Sequence, residues 1–331
     1  SVADLYAAAF GPGLLLAGIY LVYLIVRSTI DPKLGPPVPK SERVGSVQAI
    51  LTEVVIGVLP LLLLIAATLG SILAGLATPT EASGIGALGA LILAVLYRRL
   101  TYAGLKQAVV SATMTSSMVL LLAVTSNIFG AVFARLGTAN WITNAMVSLP
   151  VPAIVMLAFV IVLIFLLGWP FEWPAIILVF LPIFYPVVDA LRPALSKDFG
   201  IPEDLFMVWF GSLVAVTMQT AYLSPPVAMS AYYLKQVVKD WSLMTIYKGM
   251  FEFMVLQCIA IAIIMFVPSI ATSLPETLRA EQQAIRTEEV DDSQNRLEED
   301  PLKEGSQQEE EPEEEDSGAS LEKDELSNPK K

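Results

Sequence analysis

The sequence predicts an all-α polytopic membrane protein, and two observations carry the prediction. Of its 331 residues, 55% are hydrophobic and only 16% are charged, whereas soluble domains carry roughly 25% charged residues. Apolar runs approaching the length of about 20 residues that a helix needs to cross a bilayer also recur along the chain. Spans are predicted at 8–26, 54–77, 84–98, 108–134, 151–168, 174–191 and 249–270, with a shorter interrupted pair at 205–217 and 219–234.

The net charge of −12 is unevenly distributed. Residues 275–331 contain 20 Asp/Glu and 7 Lys/Arg, while the first 274 residues contain 12 and 13. A near-neutral membrane region is therefore followed by an acidic tail of low apolar content, which we predict to be disordered. The chain has no histidine and one cysteine, which excludes disulfide frameworks, Cys/His zinc sites and catalytic triads with a histidine base.

Basic residues and tryptophans indicate how the spans lie in the membrane. Lys and Arg concentrate in the connections 27–47 and 98–106, so both connections are predicted to be cytoplasmic. The segment between them must cross and return, which places residues 78–81 near the far side. Tryptophans near predicted span ends are interpreted as interfacial residues: Trp141, Trp169, Trp173, Trp209 and Trp241.

The stretch "LATPTEASG" places Thr78, Pro79, Thr80 and Glu81 between two apolar runs. One interpretation is a helix break at membrane depth, where threonine hydroxyls satisfy carbonyls that the proline leaves free. The other is a helix N-cap in which Thr78 or Thr80 caps and Glu81 lies in the first turn. Both place the start of a new helix here.

The second polar interruption is "LLGWPFEWPAIILVFLPIFYP", residues 166–186. Gly168 and four prolines cannot all lie in one unbroken helix, and Glu172 lies between Trp169 and Trp173. The pattern predicts two helical segments meeting at a non-helical turn, which at membrane depth must be packed in protein or line a water-filled cavity. An interfacial loop with a tryptophan belt is the alternative.

The third interruption is "TMQTAYLSPPVAMSAYY", residues 217–233, where Gln219, Thr220 and Ser224-Pro225-Pro226 separate two apolar half-spans. A discontinuous helix presents loose carbonyls to a cation, and the N-terminus of its second half presents N–H groups to a carboxylate. An ordinary extracytoplasmic turn is the alternative. Polar, proline-broken stretches in separate spans favour a transport site.

Taken in order, these motifs resemble the large membrane subunit of tripartite ATP-independent periplasmic (TRAP) transporters. "GLATPTEASGIGALGA" is similar to that family's Gly-x-x-Thr-Pro-Thr-Glu-Ala signature, and "LGWPFEWPAIILVFLPIFYPVV" and "MQTAYLSPPVAMSAYYLK" are similar to its two proline-containing segments. Order and spacing agree from about residue 5 to 272. Glu172 stands where the family usually has Asp and Ser224 where it has Thr, so a carboxylate and a hydroxyl are kept. Thr217 and Ala228 replace the more usual Asn and Gly.

The resemblance implies an elevator-type ion transporter fold with two inverted repeats, of which this chain resembles only the second, with its broken helices and hairpin. The implied regions are 1–27, a span ending the first half; 28–50, a cytoplasmic linker; 51–274, the second transporter repeat; and 275–331, the acidic tail. The first repeat would then lie upstream of Ser1, as in a fragment.

The resemblance also implies a sodium-coupled secondary importer of the bacterial inner membrane, and not an enzyme. A periplasmic binding protein would deliver an organic carboxylate to a small and a large membrane subunit; no cofactor beyond sodium and no nucleic-acid partner is expected. Sodium would be held around Gly168, Glu172, Thr217 and Ser224, and the substrate around Gln219, Ser224, Pro225 and Pro226. A membrane enzyme would need paired intramembrane Asp, a Ser/His dyad or a metal cluster, and it is disfavoured because histidine is absent and the candidate Glu residues are far apart in sequence. An inactive or non-transporting scaffold fragment is the alternative.

Overall fold

The structure is a computed structural model that describes residues 1–37, 39, 46–225 and 228–298, excepting the side chains of 139, 285, 286 and 288–298. All regular structure in these ranges is helical: α1 Val2–Ile30, α2 Val47–Gly57, α3 Leu59–Leu73, α4 Pro79–Leu96, α5 Tyr102–Arg135, α6 Thr138–Val147, α7 Ala153–Leu167, α8 Trp173–Ala175, a π-helical segment Ile176–Phe180, α9 Leu181–Phe199, α10 Glu203–Gln219, a 3₁₀ turn Thr220–Tyr222, α11 Met229–Val237, α12 Leu243–Phe266 and α13 Ser269–Glu298. Seven helices in the described ranges are long and apolar enough to cross a membrane. The prediction of an all-α polytopic membrane protein is thereby confirmed.

Two predicted spans differ from the helices found in whether each is long enough to cross a membrane. The predicted span 151–168 is the 15-residue helix α7, which begins after Pro152 and ends at Gly168, and is shorter than the usual span of about 20 residues. Conversely, the half-span predicted at 205–217 extends to Glu203–Tyr222 and is long enough to cross alone. The helix includes polar residues at both ends. Glu203 lies in its first turn, and near its other end the Thr217 hydroxyl donates to the Leu213 carbonyl.

The core is built around α10, which packs against α1, α7, α9 and α12. Trp209 is fully buried at its centre, and its indole Nε1 donates to the Ile264 carbonyl of α12 at 3.0 Å. The interpretation of Trp209 as an interfacial residue was therefore wrong. A tryptophan can be interior when its N–H finds a partner, and the neighbouring backbone of α12 supplies one. The other four tryptophans are exposed.

Two backbone carbonyls near prolines accept hydrogen bonds from serines of neighbouring helices. Pro12 in α1 cannot donate to the carbonyl of Ala8 one turn earlier, and the Ser212 hydroxyl of α10 donates to that carbonyl at 3.1 Å. A serine also bonds the backbone near Pro182, which begins α9: Ser126 of α5 donates to the Leu178 carbonyl of the π-helical segment, four residues earlier. These bonds join helices that are distant in sequence.

The first and last helices meet through a close backbone approach and an ion cluster. A β-carbon at Gly11 would collide with the Ile270 backbone carbonyl, so only glycine allows this approach. Arg279 of α13 donates in a two-bond fork to Asp4, from Nε at 3.0 Å and from Nη2 at 2.7 Å, and also bonds Asp204 of α10. The hydrogen bonding with Asp4 raises the pKa of the Arg279 guanidinium above its ordinary value.

Residues 275–298, which the sequence analysis assigned to a disordered tail, are helical in the structure and continue α13 to Glu298. The segment is rich in Glu, Gln, Ala and Arg, which favour helix in water without a core. The chain divides into two units, Ser1–Arg279 and Ala280–Lys331. The second unit is described only as far as Glu298, and residues 299–331 of the predicted tail lie outside the described residues.

Candidate functional site

The Thr-Pro-Thr-Glu stretch begins α4 through a capping box. Thr78 is the N-cap: its Oγ1 accepts from the Glu81 amide at 3.3 Å, and the Thr78 amide donates to Glu81 Oε2 at 2.7 Å. Pro79 is the first helical residue, where its missing N–H costs no intrahelical bond. Of the two interpretations offered above, the structure has the N-cap. Glu81 is therefore engaged within its own first turn.

The second interruption, within residues 166–186, separates α7 from the helix that starts at Trp173. Gly168 closes α7, and its amide lies 3.1 Å from the carbonyls of both Ile164 and Phe165. The chain then turns and restarts after Glu172, whose φ of −75° and ψ of 153° are extended. The Glu172 side chain makes no capping hydrogen bond and is exposed. Two helical segments thus meet at a non-helical turn, as the glycine and prolines predict.

The third interruption, within residues 217–233, separates α10 from α11. Helix α10 ends at Gln219, tightens into the 3₁₀ turn Thr220–Tyr222 and gives way to irregular backbone at Leu223. Helix α11 restarts after Ala228, whose φ of +21° is positive, in a region that few residues other than glycine adopt. Pro226 lies outside the described residues, so its predicted role stays a prediction.

The structure brings the second and third interruptions into contact. A β-carbon built on Gly168 would lie 3.3 Å from the β-carbon of Ala221 and 3.7 Å from its α-carbon, so the end of α7 touches the 3₁₀ turn. Beside this contact lies a cavity of about 50 Å³ lined by Glu172, Trp173, Ala221, Tyr222 and Met229. The cavity therefore lies between Trp173, where the helix after α7 begins, and the residues on both sides of the break between α10 and α11, Tyr222 and Met229.

The hydroxyls at the third interruption are buried, and each donates to a carbonyl four residues earlier in the chain. Thr217 Oγ1 donates to the Leu213 carbonyl and Ser224 Oγ to the Thr220 carbonyl, each at 2.8 Å. Both residues are only 1% exposed. Because each hydroxyl proton is engaged, the oxygen lone pairs stay available as acceptors, and oxygen ligands suit a hard cation.

Gln219, predicted with the substrate residues, lines a different cavity. This second cavity of about 350 Å³ is lined by Tyr20, Gln219, Tyr222, Leu223, Ser230, Phe253 and Gln257. Only Tyr222 also lines the smaller cavity beside Glu172. The predicted residues thus fall into two adjoining places, and Thr78–Glu81 forms a third feature at the start of α4, a helix that packs mainly on α3.

Sequence reasoning missed several of these lining residues. Tyr222 and Met229 could have been predicted as lining residues from the sequence, because each lies within four residues of the Pro225-Pro226 pair. Tyr20 and Gln257 belong to other spans than Gln219, so only the packing of α1 and α12 reveals them. A polar Gln257 inside an apolar span was the one sequence clue to it.

Comparison with known proteins places the chain in a family. A family model described as the DctM component of tripartite ATP-independent periplasmic transporters matches residues 1–270. The sialic acid TRAP transporter permease protein SiaT of Haemophilus influenzae is 26% identical over 84% of this chain and 42% of its own length.

Two further relatives are the C4-dicarboxylate TRAP transporter large permease protein DctM of Rhodobacter capsulatus and the sialic acid TRAP transporter large permease protein SiaM of Vibrio cholerae. They are 26% and 27% identical, over 84% and 83% of this chain and 59% and 60% of their own lengths. The chain thus spans about half the length of the curated relatives it matches.

These matches confirm the resemblance seen in the motifs. The family is one of transporter permeases and not of enzymes, and its members are inner-membrane proteins. The match includes all three interrupted stretches and ends close to the end of α12. The chain belongs to the DctM family, the large membrane components of tripartite ATP-independent periplasmic transporters.

Proposed function

We propose that the chain acts in a sodium-coupled secondary importer that takes up an organic acid anion by an elevator mechanism. In this proposal a periplasmic binding protein delivers the anion, and a small membrane subunit works beside the large one. The curated relatives carry names that refer to sialic acid and C4-dicarboxylates, which are organic acids. That shared chemistry supports a carboxylate substrate for this chain.

The observation that carries the proposal is the contact between two helix interruptions in one compact unit. Gly168 touches Ala221, and Glu172, Tyr222 and Met229 line one cavity. Helix ends that face a common cavity offer carbonyl oxygens from their C-termini and N–H groups from their N-termini. Such a pair of breaks suits the joint binding of a cation and an anion near the membrane midplane.

We assign the sodium ion to carbonyl and hydroxyl oxygens around Gly168, Thr217 and Ser224, with Glu172 at the edge of the site. The substrate carboxylate is assigned to the N-terminus of α11, after Ser224 and Pro225. Both assignments follow from the polarity of the helix ends. Helix α7 ends at Gly168, where free carbonyl oxygens suit a cation, and α11 begins at Met229, where free N–H groups suit an anion.

The experiment is sodium-dependent uptake of radiolabelled N-acetylneuraminate and succinate by the intact transporter, assembled with its binding protein and small subunit. Ser224→Ala and Pro225→Ala are expected to abolish uptake while the protein remains in the membrane in normal amount. Ser148→Ala and Pro193→Ala are the matched controls, because both residues are exposed and lie outside the interrupted stretches 166–186 and 217–233. Normal sodium-dependent uptake by both site variants would refute the site assignment.

A further inference from the structure

The larger cavity contains a buried acceptor without a partner. Gln257 of α12 is only 5% exposed and lines the cavity. Its carbonyl oxygen Oε1 has no hydrogen-bond partner among the described residues. A buried acceptor left unsatisfied is costly, and native structures seldom retain one without a reason.

The chemistry of that oxygen restricts what can occupy the space in front of it. An amide oxygen only accepts hydrogen bonds, and so does an ionised carboxylate. The carboxylate end of an organic acid therefore cannot satisfy Gln257 Oε1, whereas a hydroxyl or an amide N–H can. The occupant facing this atom must be a hydrogen-bond donor or a cation.

The rest of the lining is neutral and partly aromatic. Tyr20, Tyr222 and Phe253 contribute rings, while Gln219 and Ser230 contribute neutral polar groups, and none of the lining residues carries a charge. Its volume of about 350 Å³ far exceeds that of a single cation and is within the range of small-molecule sites, which combine apolar walls with a few placed polar groups. The lining suits an uncharged, hydroxylated carbon chain.

The position of the cavity links it to the proposed carboxylate site. Ser230 lies in the first turn of α11, directly after the helix start to which the carboxylate is assigned. Tyr222 lines both this cavity and the smaller one beside Glu172. A substrate with its carboxylate at the start of α11 would extend its remaining atoms toward Gln257.

We infer that this cavity, with Gln257 Oε1 as its acceptor, is a specificity subsite for the hydroxyl-bearing part of the transported organic acid. The inference rests on the proposed function. It assigns hydroxylated acids as the preferred class and adds Gln257, Tyr20 and Ser230 to the residues that select the substrate.

The test compares acids that differ only in hydroxyl groups. Uptake of malate and succinate, lactate and propionate, and gluconate and hexanoate is measured in the intact transporter, and the half-saturating concentration is determined for each. A preference for the hydroxylated member of at least one pair is expected. Gln257→Met keeps the side-chain volume but removes the acceptor, and should reduce that preference about 2- to 10-fold, the effect of one neutral hydrogen bond.

Gln107→Met is the matched control, because Gln107 is exposed on α5, and it should keep the wild-type preference. Should Gln257→Met fail to reach the membrane, Tyr20→Phe tests the same cavity and should lower the preference in the same direction. Equal half-saturating concentrations within every pair, or a preference that is unchanged in Gln257→Met, would mean that the cavity holds only water. Either result would overturn the inference and leave the proposed function intact. Uptake of none of the six acids, nor of N-acetylneuraminate, by the wild type would instead overturn the proposed function, and the inference with it.

Discussion

The hydrogen bond from Ser212 to the Ala8 carbonyl allows a quantitative test of how this fold satisfies proline-interrupted backbone. Pro12 has no N–H, so the Ala8 carbonyl loses its usual partner within α1, and Ser212 Oγ donates to it at 3.1 Å. Ala8 is 0% exposed and Ser212 is 3% exposed. Removing the hydroxyl therefore leaves a carbonyl that neither water nor lipid can satisfy.

Ser212→Ala should lower the free energy of unfolding by about 1–2 kcal/mol. Loss of one partner of a buried neutral bond costs about 1–3 kcal/mol, while hydrogen bonds between membrane helices average about 0.6 and reach about 1.7 kcal/mol. When Pro12 is replaced by alanine, a backbone N–H at that position can donate to the Ala8 carbonyl. In the Pro12→Ala background the same serine substitution should therefore cost less than about 0.5 kcal/mol.

The assay is a double-mutant cycle on the purified protein, unfolded reversibly in mixed micelles and followed by tryptophan fluorescence. Ser148→Ala is the control: its hydroxyl also donates to a carbonyl at 3.1 Å, but to one only three residues earlier and at an exposed position, and it should change stability by less than about 0.5 kcal/mol. Equal costs of Ser212→Ala in the wild-type and Pro12→Ala backgrounds would show that the serine does not replace the missing N–H, and would refute the reasoning.

Two further predictions concern charged groups. Glu81→Gln should retain most uptake, because glutamine can also complete a capping box. Glu172→Gln should lose more uptake, because Glu172 lines the cavity between the break after α7 and the break after α10. The reverse order in the uptake assay would overturn these roles. Arg279→Gln should lower the free energy of unfolding by about 1–3 kcal/mol, because it leaves the Asp4 carboxylate, 12% exposed, without its fork. The control Arg192→Gln breaks a more exposed pair and should cost under about 1 kcal/mol in the same assay; equal losses would show that burial does not distinguish the two pairs.

The helix interruptions could be predicted from the sequence because their causes are local. Proline removes a donor wherever it occurs, and glycine at 168 followed by Pro170 and Pro174 leaves no unbroken helix. The capping box at Thr78 and Glu81 is equally local, since it needs only residues three apart. These features depend on neighbours along the chain, and the structure has them where the residues indicate.

Contacts between distant helices could not be predicted in this way. Trp209 has the same kind of surroundings in sequence as the four exposed tryptophans, and only the central position of α10 buries it. Gln257 stands out as a polar residue in an apolar span, but its proximity to Tyr20 and Gln219 follows from the packing of α12 on α1 and α10. The helical continuation from Pro275 to Glu298 was missed because low apolar content argues against a core and not against helix.

The proline sites differ in which groups satisfy the backbone, and the difference bears on the proposed site. At Pro12 and Pro182 the carbonyl one turn earlier accepts from a serine of another helix, so those interruptions are joined to their neighbours. Before Pro225 the Ala221 carbonyl accepts from the Ser224 amide, and the Thr220 carbonyl accepts from the Ser224 hydroxyl. Among the described residues, the Ser224 hydroxyl meets another helix only at the weak acceptor Met254 Sδ of α12, at 3.4 Å. That backbone can therefore rearrange around an ion without losing a strong hydrogen bond to another helix, which is what binding and release at the third interruption would require.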